Sequence, residues 1–154
     1  MKRIILTLVL SFLSFGANAA PVQWSGNGHY YDLVIVQLSW AEADAEAKNL
    51  SWNGLGGHLA TITSQEENDF IYSIMPNGAY TYWLGGTQTD LSGGMDEGWE
   101  WTTGEAWDYT NWNAGEPNDD LGRSQDSLVF QAFNAGYWDD GDNAENASTF
   151  GIHY

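Results

Sequence analysis

Two short segments constrain this chain more than any others: Gly115-Glu116-Pro117-Asn118-Asp119-Asp120 and, further along, Trp138-Asp139-Asp140. They crowd neutral and ionised oxygen ligands into a stretch without helical periodicity. Calcium is a hard cation that takes about six to eight such oxygens in a flexible arrangement. The chain is therefore expected to fold this region as loops gathered around a cation.

The remaining composition narrows what else could hold such a loop. There is no cysteine among the 154 residues, so a disulfide framework and any thiolate metal site are excluded. The chain begins with Lys2 and Arg3, an apolar run over residues 4–15, and the small-residue site Ala17-Asn18-Ala19. These are the three parts of a secretory signal, and they predict a leader over 1–19 and a mature domain over 20–154, secreted or periplasmic. The apolar run is shorter than the roughly 20 residues needed to span a bilayer, and no later segment resembles a span. Without the leader, only Lys48 and Arg123 face twenty-one acidic residues, a formal charge of −19. Such a surface repels nucleic acid and anionic lipid. Bound divalent cations would offset part of that charge. The mature part is one domain in size, large enough to bury a core without staples.

Coarse periodicity gives an α+β reading. Tyr30-Tyr31-Asp32-Leu33-Val34-Ile35-Val36 is aromatic and β-branched, as strands are. Ser39-Trp40-Ala41-Glu42 is a capping box opening a helix with Trp40, Ala43, Ala47 and Leu50 on one face, stopped by Asn53-Gly54. A short strand is expected over His58-Leu59-Ala60-Thr61-Ile62. Ser64-Gln65-Glu66-Glu67 then opens a second helix carrying Phe70, Ile71 and Ile74 to Pro76. Tyr80-Thr81-Tyr82-Trp83-Leu84-Gly85-Gly86 and Trp99-Glu100-Trp101-Thr102 read as strands. From there to about Asn134 the chain is rich in Gly, Asn, Asp and Trp, apart from the apolar run Ser127-Leu128-Val129-Phe130. Long loops of this kind in a compact domain are usually functional. Gly136-Tyr137-Trp138 and Thr149-Phe150-Gly151-Ile152-His153-Tyr154 supply the last strands. Most of the nine Trp are expected in the core, each needing a partner for its N–H. His58 has no Ser, Cys or second His in a recognisable arrangement with it, so it reads as a packed, hydrogen-bonded residue.

The ordered set of motifs resembles the C-type lectin-like domain in its cysteine-free bacterial form. It comprises Ser39-Trp40-Ala41-Glu42-Ala43, Gly57-His58-Leu59-Ala60-Thr61-Ile62, Trp83-Leu84-Gly85-Gly86, Glu97-Gly98-Trp99-Glu100-Trp101, Asn111-Trp112, Gly115-Glu116-Pro117-Asn118 and Trp138-Asp139-Asp140, and so covers essentially the whole mature chain. Ala47 and Ser127 fall where two of the family's cysteines would stand. The resemblance implies two helices, small antiparallel sheets and a long loop region holding calcium, which directly ligates two neighbouring hydroxyls of a sugar. It implies a cis bond before Pro117, Glu116 and Asn118 as one acid-amide pair, and Asp140 as a ligand through side chain and backbone. The second pair departs from the family's usual form, with Gln125 where Glu is commonest and Asp139 where Asn is commonest. Acid and amide have changed places, so one acceptor and one donor still face the second hydroxyl. Glu-Pro-Asn implies mannose-type sugars; the exchange at Gln125 and Asp139 could favour galactose-type ones. An auxiliary calcium site drawn from Asp90, Glu97, Asp119 and Asp126 competes with a solvated acidic loop.

The partner expected on this reading is a glycan or glycoconjugate. Single-sugar contacts are individually weak and gain from multivalency, whatever the oligomeric state. A protein-ligand or ice-binding version of the same fold is the alternative, because fold does not fix function. A glycosidase using Glu116 and Asp140 is disfavoured, since those acids are better explained as metal ligands and no nucleophile-base arrangement is visible. The sequons Asn49-Leu50-Ser51 and Asn146-Ala147-Ser148 matter only in a eukaryotic secretory pathway.

Overall fold

The computed structural model describes residues 20–76, 80–120, 125–143 and 149–154, of which 149–153 through the backbone. The leader, Arg123, Ser124 and the second sequon lie outside the described residues. The elements in chain order are β1 (Val22–Gln23), β2 (Tyr30–Val34), α1 (Trp40–Asn49), β3 (Ser51–Trp52), β4 (Leu55–Gly56), β5 (His58–Leu59), α2 (Gln65–Ile74), β6 (Thr81–Gln88), β7 (Trp99–Trp101), β8 (Ser127–Gln131), β9 (Tyr137–Gly141) and β10 (Thr149–His153). Among the described residues no helix is long and apolar enough to cross a membrane.

Strands β1-β2-β10-β6-β8-β9 form one hydrogen-bonded path, with β5 added to β10 and β7 to β6. The pairings are antiparallel except β10 with β6. The chain's last strand thus lies between β2, near the start of the domain, and β6. Strand β6 is buried on both faces, and its pleat divides the core. Tyr82 and Leu84 join Ile71 and Met75 of the α2 side, with Phe130 and Trp138. Trp83 points the other way, into a cluster with Ala43 and Ala47 of α1 and with Val129. Period-two alternation converts one strand into the shared wall of two cores. Ala47, at an expected cysteine position, is fully buried in the second of them.

Both helices begin as expected, and they differ in one detail. Ser39 and Glu42 form the complete reciprocal capping box. At α2 Ser64 accepts from the Glu67 N–H, but the Glu67 carboxylate turns inward. It accepts from the Thr63 N–H at 2.7 Å and the Thr63 hydroxyl at 3.0 Å, from Asn27 at 2.9 Å, and from the Tyr31 hydroxyl. Helix α1 ends at Asn49 rather than at Asn53-Gly54. That dipeptide, with φ of 51° and 83°, instead turns the β3–β4 hairpin, where Trp52 pairs with Leu55. Asn-Gly satisfies the positive φ of both central residues in such a turn, and the hairpin takes it. None of the nine Trp is fully exposed. His58 is half-buried on β5, with its Nδ1 at 2.8 Å from the Leu59 carbonyl oxygen.

Candidate metal centre

The site is assembled on an aromatic platform. Trp138 is fully buried, donating its indole N–H to Asn68 of α2 at 2.9 Å. Trp101, Tyr109 and Trp112 meet it edge-on, with ring centroids at 5.7, 5.5 and 6.0 Å. Such edge-to-face pairs add about 0.5–1.5 kcal/mol each beyond area burial. This platform fixes where the flanking backbone runs. The Trp138 N–H donates to the Asn111 carbonyl and the Asn113 N–H to the Trp138 carbonyl, each at 2.8 Å. Asn111 also donates its side-chain amide to the Gly136 carbonyl at 2.9 Å. The segment around Trp112 is thereby tied alongside β9.

From this tie the chain turns tightly. The Glu116 N–H donates back to the Asn113 carbonyl at 3.0 Å, and Gly115 takes φ of 97°, a conformation that disfavours any side chain. The Glu116-Pro117 bond is cis, as the resemblance implied. Beyond it, the Asn118 and Asp119 N–H groups donate to the two carboxylate oxygens of Asp140, at 3.0 and 2.8 Å. Asp140 is 3% exposed and fastens the loop to β9. Asp139 and Asp140 thus stand on a strand, and Glu116 comes to them from the loop.

Glu116, Asp139 and Asp140 each bring a carboxylate oxygen within 4.8 Å of the others, the group of this kind found among the described residues. Burial and the charges of Asp139 and Asp140 push the Glu116 carboxyl up to about 7. Burial and the Asp140 charge also raise Asp139, while donation from Gln131 pulls it back in part. Three acids held this close without a counter-ion are electrostatically unfavourable. A divalent cation reverses that balance.

Gln125 reaches the same place. Its N–H donates to the Asp119 carboxylate at 2.8 Å and its side-chain NH2 to the Asp140 carbonyl at 2.9 Å. A carbonyl can only accept, so the amide orientation is determined and Gln125 Oε1 is turned away. Among the described residues, that atom and Glu116 Oε2 are buried without a hydrogen-bond partner. Buried polar atoms are normally paired, and three converging carboxylates, one of them with an unpartnered oxygen, match the donor set of a hard cation. Asn118 is exposed and meets the site through its backbone N–H.

The four auxiliary residues do not meet in such a group. Asp90 accepts from the N–H and hydroxyl of Ser92, at 2.9 and 2.6 Å. Glu97 accepts from the Gly94 N–H at 3.2 Å. Asp119 is engaged by Gln125, and Asp126 accepts from the Ser127 hydroxyl at 3.2 Å. Motif spacing gives no hint of Gln131, whose amide donates to Asp139 at 2.6 Å. Its one signal is a polar residue closing the apolar run of β8, which becomes meaningful once Val129 is paired with Asp139.

The family profile described as the lectin C-type domain matches residues 36–149. This chain belongs to the C-type lectin domain family. It is similar to lectin BRA-3 of Megabalanus rosa, 31% identical over 153 residues, covering 94% of this chain and 88% of that protein. The fold is that of the crystal structure of C-type lectin CEL-I from Cucumaria echinata, with a TM-score of 0.72 at 22% identity, covering 88% of this chain and 97% of that one. A calcium-independent type II antifreeze protein superposes with a TM-score of 0.67 at 28% identity, covering 91% of this chain and 97% of that one. The chain spans less than two thirds of some curated relatives it matches, 1% of one and 62% of another. The named relatives are lectins and an antifreeze protein.

Proposed function

We propose that this C-type lectin-like domain binds glycans through a calcium ion held by Glu116, Asn118, Gln125, Asp139 and Asp140, after export directed by residues 1–19. The observation that carries the reading is the convergence of the Glu116, Asp139 and Asp140 carboxylates, with Glu116 Oε2 and Gln125 Oε1 buried and unpartnered among the described residues. Calcium would supply open coordination positions for two sugar hydroxyls. Around each hydroxyl one acid would accept its proton and one amide would donate to its remaining lone pair. Glu116 and Asn118 form the first pair, and Asp139 and Gln125 the second. Asp140 keeps the loop closed on the strand.

Glu-Pro-Asn supports mannose-type ligands, and the exchanged second pair supports a shift toward galactose-type ones. Calorimetric calcium titration followed by a glycan array with calcium and with chelator tests the reading. Saturable calcium binding and chelator-sensitive glycan signals are expected. The antifreeze relative favours a second reading, an ice or protein ligand bound by the same fold. Calcium-independent thermal hysteresis with no glycan signal would select it.

A further inference from the structure

We propose that Gln131 and Asn134 form a positioning relay that determines which atom of residue 139 faces the ligand, and so sets the hydrogen-bond polarity of the second acid-amide pair. This rests on the calcium-and-glycan reading of the site.

Gln131 is the last residue of β8 and lies diagonally across from Asp139, whose Cα partner is Val129. It is 7% exposed, so its amide must find partners within the protein. Both ends are used. The Asn134 side-chain amide donates to Gln131 Oε1 at 3.1 Å, and Gln131 Nε2 donates to Asp139 Oδ2 at 2.6 Å. A carboxylate can only accept, so nitrogen must face Asp139, and the Asn134 donor holds the other end of the amide in the matching orientation. Asn134 is itself fixed by the turn between β8 and β9. Its N–H donates to the Gln131 carbonyl at 3.0 Å, the Gly136 N–H donates there at 3.1 Å, and its own carbonyl accepts from Tyr137 at 3.0 Å.

With Oδ2 engaged, Asp139 is left with Oδ1 to offer a ligand, so it acts as a single acceptor. An asparagine at 139 would place its oxygen against Gln131 and its NH2 toward the ligand. The relay therefore converts the identity of residue 139 directly into acceptor or donor character, with no rotamer choice. Supporting groups of this type orient ligating carboxylates, and their loss costs about 10–100-fold in metal affinity.

The test is a double-mutant cycle read by calcium titration, with Gln131→Met made in the wild type and in an Asp139→Ala background. A positioning role predicts an affinity loss of about tenfold in the wild type and little further loss once Asp139 is absent. Equal losses in both backgrounds would mean that Gln131 only supports the hairpin, and would overturn the relay. If Gln131→Met does not fold, Asn134→Ala, which removes the donor anchoring Gln131 Oε1 and so loosens the amide against Asp139, is expected to weaken calcium several-fold; unchanged affinity overturns the proposal. In the calcium-free protein the Gln131 side-chain NH2 resonances should shift on Asp139→Ala, and shifts that stay put would also overturn it. Absence of wild-type calcium binding would overturn the reading of the site itself, whereas intact wild-type binding with equal losses overturns the relay alone.

Discussion

Glu116 connects stability to pH within the range where the domain is handled. Its carboxyl has an ordinary value of 4.5 and is held at about 7 in the fold, by burial first and by the charges of Asp139 and Asp140 next. Between those values the folded chain keeps a proton that the unfolded chain releases. Its contribution to calcium-free stability is therefore complete below about pH 4.5 and is lost as pH rises through 7; the raised Asp139 acts in the same direction. In chelator, melting temperature should fall from pH 5 to pH 8, while the stabilisation by added calcium should grow over the same window, because the ion competes with that proton. Melts at four pH values with and without calcium check this, and a flat calcium-free profile would contradict it. The exchanged pair makes a second prediction at this scale. Restoring the commoner arrangement with Gln125→Glu and Asp139→Asn together should move glycan-array preference toward mannose-type ligands, with calcium binding retained because the site charge is unchanged. The sequence brings both positions forward as candidates through the resemblance, and the structure places Asp139 on β9 and ties Gln125 to the Asp140 carbonyl. What the sequence did not carry was how these side chains are turned: the Gln125 amide by the Asp140 carbonyl, and Asp139 by Gln131.

Elements were legible where local chemistry and tertiary demand agree. The Ser39 capping box, the aromatic strand at Tyr30 and the paired Trp99–Trp101 strand all meet that condition. Asn53-Gly54 reads as a helix stop, but the helix has already ended at Asn49 and pairing of Ser51-Trp52 with Leu55-Gly56 makes it a hairpin turn. Glu67 has the position of a capping residue, yet the buried hydroxyl of Tyr31 and the Thr63 N–H and hydroxyl claim its carboxylate instead. Asp139 and Asp140 sit on β9, whose sequence Tyr137-Trp138-Asp139-Asp140-Gly141 has little strand character on its own. Pairing with the fully buried β8 imposes it. The turn between these strands depends on Gly136, with φ of 76° and a would-be Cβ 2.6 Å from the Phe130 ring. Gly136→Ala should therefore destabilise by roughly 1–3 kcal/mol through overpacking and left-handed backbone strain. Because the same turn carries Asn134, calcium affinity should drop with it. Chemical denaturation and calcium titration of one variant measure both, and a change in neither would remove the hairpin from the account of the site.

At the scale of the whole molecule, an acidic chain without disulfides must hold together against its own charge. The formal charge is −17 for the full sequence, and the core that resists it is aromatic, with Trp83, Trp138, Tyr82 and Phe130 among its largest fully buried side chains. Two kinds of cation effect are expected to relieve that repulsion, and they differ in form. Monovalent salt acts everywhere by screening, with a Debye length of about 10 Å at 0.1 M, and its benefit rises gradually without saturating at a stoichiometry. Calcium bound at Glu116, Asp139 and Asp140 acts at one place and adds RT ln(1 + [L]/Kd), about 2.7 kcal/mol at a hundredfold excess over Kd. Sodium chloride at a fixed concentration should therefore raise the melting temperature of the domain, and millimolar calcium should add a further saturable increment that magnesium does not match, because magnesium demands a tighter octahedral set of oxygens. Asp140→Asn separates the two effects, since it removes one site charge and one acceptor for the loop N–H groups while leaving the remaining surface charge in place. The calcium increment should vanish in that variant and the sodium chloride effect should remain. If calcium still stabilised Asp140→Asn by the same amount, its action on this protein would be general neutralisation of an acidic surface, and the converging carboxylates would not be its site.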